Sequence, residues 1–293
     1  MNLKIWGATT LARFTNSISE GFHRIGISSN EAPPFTAGIA QIHGAPQSAS
    51  EDLDILNESF DSIFPVVYLI HRPDEILENQ NLMSTLSKLN SSRFILLGDL
   101  VLQMPFWSSR QDRCIIIPHP FTDFTRPSSY HKPIVGSFTS WGEMRKLEHY
   151  LQLISEFKDK EKFEFRIGGP GLDKAKIPAP VHVSTDFFVP HFNVQLYHLK
   201  GKKRLGESSG SLHCGISIPI IFEANGTEKL EQLLVIKVDA DESLTDINFK
   251  AAAEEIEKIA ATNLEQSLEY NFKQAQNNSV ESFARSVLQL WKL

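Results

Sequence analysis

Short apolar runs alternate with stretches of helical periodicity along most of the chain, which is the pattern of an α/β fold. In the first half the runs are Leu3–Trp6, Ala37–Ile42, Val66–Ile70, Phe94–Leu97 and Cys114–Ile117. They are nearly continuous rather than alternating, as strands covered by helices on both faces are. Between them Leu11, Phe14, Ile18, Phe22 and Ile25 make one helical stripe, and residues 74–89 read as a further helix. A Pro-rich break at Glu31–Pro34 precedes the second run.

Residues 121–133 carry Pro127, Ser128, Ser129 and Pro133 and are the best candidate linker. Beyond them the pattern restarts. Ile134–Phe138 predicts a strand, residues 142–160 a helix, and Phe163–Ile167 a strand that runs into Gly168, Gly169, Pro170 and Gly171. Val181–Val183, Pro219–Phe222 and Leu234–Val238 predict further strands, with residues 227–233 helical before the last and helix from Asn248 onward. Asn278 is placed to cap a last helix with Glu281 three residues on. Val280, Phe283, Ala284, Val287, Leu288 and Trp291 give that helix a sharp apolar stripe. The restart predicts an N-terminal domain over 1–124, a second over 125–275, and a C-terminal helix over 276–293.

Length and composition agree with this division. The 293 residues suit two domains of ~150 residues each. Lys and Arg number 29 against 35 Asp and Glu, a formal charge of −6, so nothing global draws the chain to nucleic acid or anionic lipid. Two cysteines, Cys114 and Cys214, cannot build a disulfide framework or a zinc site alone, which favours a reducing compartment. No apolar run approaches the ~20 residues of a membrane helix, and Met1–Lys4 lacks a signal-peptide character. The expectation is a cytoplasmic protein.

Candidate chemistry gathers at strand ends, where open α/β sheets hold their ligands. Gly136 and Gly168 sit in or after strands of the second domain, and Arg145 and Lys146 lie early in the next helix. There a phosphate could use backbone N–H groups, the helix dipole and a cation. Glu207, Ser208, Ser209 and Gly210 precede a short helical stretch and suit a phosphate or a sugar. His43, His71 and His119 each end or follow an apolar run. Each feature also has a plain structural alternative: tight turns, solvated cations, an ordinary serine cap, turn or core histidines. Dinucleotide GxGxxG, P-loop, HExxH and G-x-S-x-G motifs are absent.

The order of these features resembles the GT-B class of glycosyltransferases, within it the large, mostly retaining family rich in bacterial polysaccharide and lipopolysaccharide enzymes. Cys114–Asp123 is similar to the strand and loop entering the second domain. Ile134–Phe138 followed by Arg145, Lys146 and Leu147 is similar to the opening strand and Lys-bearing helix of the donor domain. Phe165–Gly169, Glu207–Gly210, Ile218–Ile221 and the turn from Gly226 to Glu228 resemble the succeeding elements. Gly7, Ala8, Thr9 and Thr10 occupy the place of a glycine-rich loop, and His71 that of a histidine after a strand.

That resemblance implies two Rossmann-like domains facing a cleft, with the C-terminal helix crossing back to the first. It implies a glycosyltransferase that moves a sugar from a nucleotide-sugar to a hydroxyl acceptor, a glycan or a lipid-linked one, in polysaccharide biosynthesis. Gly136, Arg145, Lys146, Gly168, Ser208, Ser209, Gly210 and Glu228 would bind the donor. His71 and Glu207 would be catalytic, and Thr9, Thr10 and His43 would lie on the acceptor side. A lipid-linked acceptor would bring the protein to the inner face of the membrane as a peripheral contact. Gly215 stands where the family has a second glutamate along the donor helix. The alternative is therefore a catalytically silent GT-B-like protein that binds a sugar, a nucleotide or a partner enzyme.

Overall fold

The computed structural model describes residues 1–89, 92–96, 102, 104–117, 120, 131–138, 141, 146–184, 192–196, 217–222, 233–238 and 247–291. In chain order the first elements are β1 (Asn2–Gly7), α1 (Ala12–Arg24), β2 (Ser28–Ser29), β3 (Ala37–Ile42), α2 (Ala49–Phe60), β4 (Val66–Ile70), α3 (Pro73–Leu77), α4 (Gln80–Ser87), β5 (Arg93–Leu96), α5 (Pro105–Ser108) and β6 (Cys114–Ile116). There follow β7 (Ile134–Phe138), α6 (Leu147–Glu156), β8 (Glu164–Gly168), β9 (His182–Ser184), β10 (Val194–Leu196), β11 (Ile218–Phe222), β12 (Ile236–Val238), α7 (Phe249–Thr262), α8 (Leu264–Asn277) and α9 (Val280–Trp291). The described residues fall into two compact units, one from Met1–Thr122 with Asn278–Leu293, the other from Asp123–Lys203 with Ser211–Asn277.

Each unit has one six-stranded sheet whose described pairings are all parallel. The first runs β2-β1-β3-β4-β5-β6 and reverses direction between β1 and β3. The second runs β12-β11-β10-β7-β8-β9. Counted from its own first strand, that is the 3-2-1-4-5-6 order of dinucleotide-binding folds, with its reversal between β7 and β10. The first sheet has the flavodoxin-type beginning instead. Both are doubly wound, and both place a crevice where the strand order reverses.

The nearly continuous apolar runs have the expected cause. Trp6, Ala40, Ile42, Tyr68, Ile70, Phe94 and Leu96 point to one face of the first sheet, under Ile55 and Leu56 of α2, Leu82 and Leu86 of α4, and Trp107. Leu3, Ile5, Ile39, Val67, Leu69 and Ile95 point to the other, under Ile18 and Phe22 of α1. Successive strand residues alternate faces, so a sheet buried on both sides needs apolar residues at nearly every position.

The C-terminal helix belongs to the first unit. Phe283, Ala284, Val287 and Leu290 of α9 complete the α1 face of that sheet. Gly21 lets the two helices meet, since a Cβ there would lie 2.5 Å from the Val280 carbonyl oxygen. Arg24 pairs with Glu281 at 2.9 Å, and Arg93 donates to the Leu290 carbonyl at 3.3 Å. The cap differs from the one expected at Asn278. Ser279 Oγ, one residue later, accepts from the Ser282 N–H at 3.2 Å.

In the second unit Leu147, Tyr150 and Leu153 of α6 and Phe249, Ala253 and Ile256 of α7 pack on Val135, Phe165, Val194, Ile220 and Ile236 of the strands. Asn271 of α8 is fully buried. Its Oδ1 accepts from the Leu234 N–H at 2.6 Å, and its Nδ2 lies 3.0 Å from the Ser217 carbonyl and 2.9 Å from that of Leu234. It thus joins the approaches to β11 and β12. The pattern did not announce α2, β2 or β10. The helix expected over 74–89 is two, because Asn79 caps α4 by accepting from the Asn81 and Leu82 N–H groups. The helical stretch after Asn248 is likewise broken at Asn263. No helix among the described residues is long and apolar enough to cross a membrane.

Candidate functional site

At the C-terminal edge of the first sheet, β1, β3 and β4 deliver polar side chains to one place. Gly7 closes β1, and a Cβ on it would fall 2.5 Å from Thr15 Oγ1 and 3.1 Å from Gln41 Nε2. Glycine there leaves room for a fully buried amide, Gln41, near the end of β3. Gln41 Nε2 donates to Thr15 Oγ1 at 2.9 Å. Its Oε1 lies 3.3 Å from His71 Nε2. His71 follows β4, its N–H donating to the Ile42 carbonyl at 3.0 Å. The Phe14 ring meets the His71 ring edge-on, with centroids 4.8 Å apart.

A second cluster lies just beyond β3. His43 Nδ1 is 3.0 Å from Thr10 Oγ1 and 2.5 Å from Ser48 Oγ. The backbone N–H groups of His43 and Gly44 donate to Asp52 Oδ1 and Oδ2 at 2.9 and 2.8 Å. Gly44 has φ of +83°, and a Cβ on it would sit 2.7 Å from the Arg72 carbonyl, so only glycine makes this turn without strain. Asp52 is fully buried. Burial pushes its carboxyl above the usual range, and the hydrogen bonds from Gly44 and His43 pull it back.

Ser48 and Glu51 have the spacing of a capping box at the start of α2, yet Ser48 makes no side-chain cap bond. Its oxygen is turned to His43, while Glu51 Oε2 accepts from the Thr9 N–H at 2.5 Å. The box residues therefore fix the 9–10 loop and the His43 ring. Thr9 and Thr10 are exposed, whereas His43 and His71 are buried.

The second unit presents different chemistry at its strand ends. Gly168 ends β8, and its carbonyl accepts from Trp141 Nε1 at 2.9 Å. Gly169 and Gly171 follow with φ of +116° and +77°. The Trp141 N–H donates to the Pro170 carbonyl at 2.8 Å, so one tryptophan ties the whole glycine loop. Ser137 of β7 is fully buried and donates to the Leu196 carbonyl at 3.1 Å, joining β7 and β10 at the sheet's reversal. Lys146 is exposed and stands immediately before α6 rather than within its first turn.

Of the residues singled out from sequence, the structure brings Thr9, Thr10 and His43 together and sets His71 on the neighbouring strand end. Gly136 has a different reason for being glycine. It is the middle residue of β7, and a Cβ there would lie 2.1 Å from the Phe192 ring. Arg145, Glu207, Ser208, Ser209, Gly210, Glu228 and also His119 lie outside the described residues. Gln41, Thr15, Ser48 and Asp52 were missed. One signal was available: Gln41 is the single polar residue in the run Ala37–Ile42. Among the described residues no group of three or more His, Cys, Asp or Glu is set to hold a metal ion.

No family model matches the chain, and no curated protein matches it. Solved structures do. Anabaena Alr3699/HepE, crystallised with UDP and glucose, superposes with a TM-score of 0.65 at 13% identity over 99% of each chain. TarM, known from S. aureus, gives 0.56 at 13% over 88% of this chain and 55% of its own. The GtfA/B complex gives 0.53 at 12% over 87% of this chain and 57% of its own. The chain thus has the fold of GT-B glycosyltransferases: two doubly wound units, with the C-terminal helix packed on the first.

Proposed function

We propose that this protein is a nucleotide-sugar glycosyltransferase that moves a sugar to a hydroxyl acceptor in glycan or polysaccharide assembly. The observation that carries the reading is the end-to-end likeness to Alr3699/HepE, itself solved with UDP and glucose. The polar edge of the first sheet and the glycine-rich edge of the second support it. In this reading the acceptor oxygen bonds to the anomeric carbon while the bond from that carbon to the diphosphate oxygen breaks. The electron pair leaves with the nucleoside diphosphate, and the hydroxyl proton passes to a base or to the departing phosphate.

Lys146 and Arg145 would meet the diphosphate, with Gly136, Gly168, Ser208, Ser209, Gly210 and Glu228 around the donor. His71 would hydrogen-bond the transferring sugar, and Thr9, Thr10 and His43 would face the acceptor. Glu207 would be catalytic with His71, at the transferring sugar. Catalysis then rests on positioning and on charge stabilisation by cations and amides, with no obligatory metal.

A thermal-shift panel of UDP, GDP, ADP, CMP and their sugars tests this. A ligand at a hundredfold excess over Kd adds about 2.7 kcal/mol to the native state. One nucleotide family should raise Tm by several degrees. If none does so at millimolar concentration, the transferase reading fails and the silent GT-B-like protein stands in its place.

A further inference from the structure

We propose that Gln41 is a positioning residue that fixes the ring of His71 in one tautomer and one orientation. The inference rests on the reading of His71 as the group that meets the transferring sugar. Gln41 is buried, lies next to the sheet's reversal, and is held from both ends of its amide. Thr15 Oγ1 accepts from Nε2 at 2.9 Å, and Oε1 faces His71 Nε2 at 3.3 Å. Gly7 is the permissive element, because any side chain on it would strike Thr15 Oγ1 and crowd the Gln41 amide. Phe14, one residue before Thr15, presses edge-on against the His71 ring.

Four positions on β1, α1 and β3 therefore converge on one imidazole. A buried amide on an otherwise apolar strand costs desolvation unless bonded, and here its bonds run to a hydroxyl and to that ring. A neutral imidazole can carry its hydrogen on either nitrogen, and the partner of one nitrogen decides the other's role. An amide oxygen facing Nε2 assigns the hydrogen to Nε2 and leaves Nδ1 the acceptor nitrogen.

The test uses the full chain with 15N-labelled histidine at pH 8, where a neutral ring shows its tautomer in the 15N shifts. The His71 signals are assigned by their loss in His71→Ala. The native protein should show the Nε2–H form. Gln41→Met, close in volume, should give a mixture of tautomers, whereas Gln41→Glu, which keeps an oxygen facing Nε2, should retain the native signature. Thr15→Val removes only the hydroxyl that holds the amide and should shift the signals the same way by less, which covers the case in which Gln41→Met does not fold.

In turnover with the donor found by thermal shift, Gln41→Met should lower kcat about tenfold or more, as small misplacements of a reacting group do, with KM within twofold. Unchanged His71 shifts in both Gln41→Met and Thr15→Val would overturn the proposal. Shifts that change as described while His71→Ala keeps full kcat would leave the Gln41–His71 arrangement intact and refute the catalytic reading of His71.

Discussion

The two units meet the same architectural problem, a parallel sheet whose strand order reverses, with different materials at the crevice. In the first, the strand ends carry buried polar side chains bonded to one another: Gln41 to Thr15, His43 to Thr10 and Ser48, Asp52 to the 43–44 turn. In the second, the described strand ends offer backbone and charge. Gly168 and its loop are tied by Trp141, and Lys146 stands exposed before α6. A network of side chains fixes the direction of a few donors and acceptors. Glycine loops and helix starts instead present N–H groups to an anion. On the proposed reading the first would orient a hydroxyl or a sugar and the second would hold a phosphate.

Asp52→Ala is the strongest way to break the first edge. It strands two buried N–H groups, at a cost of about 1–3 kcal/mol each, so urea unfolding should show a loss of about 2–6 kcal/mol. A loss below about 1 kcal/mol would mean that water or another group satisfies the turn. In the second unit Gly136→Ala drives a methyl into the Phe192 ring and should cost about 1–3 kcal/mol by overpacking. Phe192→Leu in the same chain should restore most of it. Nucleotide affinity that stays low in the double variant despite its restored stability would support Gly136 as a donor-site residue.

Gly21→Ala sharpens the reading of α9. Helix propensity alone makes alanine better by about 1 kcal/mol, but the methyl meets the Val280 carbonyl. Net destabilisation of about 1 kcal/mol is expected, and a more stable variant would contradict the close helix contact. The smallest effect is chemical. Burial pushes the Cys114 thiol up to about 11, so at pH 8 only about one in a thousand is thiolate, the reactive form. Iodoacetamide labelling mapped to Cys114 should be slow at pH 8 and quicken about tenfold by pH 9. Rapid labelling at pH 7 would show that the thiol is not shifted upward.

Much of the fold was legible because double-sided burial writes itself into sequence. Strands such as Val66–Ile70 and Phe94–Leu96 are apolar at every position, and α9 carries its stripe openly. Elements without such a stripe were harder. β2 has two serines, β10 is three residues, and α2 mixes acids with its buried Ile55 and Leu56. At the site, His43 and His71 were visible because histidine after a strand is a chemical signal. Their supports were not, since Ser48 and Glu51 look like a helix cap and Asp52 like one more acid of α2. Only their three-dimensional targets separate those roles from the ordinary ones. Gly136 shows the converse, a glycine singled out for a ligand whose place in β7 also makes room for Phe192, a packing role the sequence did not show.

Calorimetric titration of the binding nucleoside diphosphate into the native protein, Lys146→Ala and His71→Ala tests the division of labour most directly. The account predicts micromolar to millimolar binding that weakens about threefold or more in Lys146→Ala, as loss of one charge contact does, and stays within twofold in His71→Ala. Absence of binding to the native protein, or a loss in His71→Ala with none in Lys146→Ala, would contradict it.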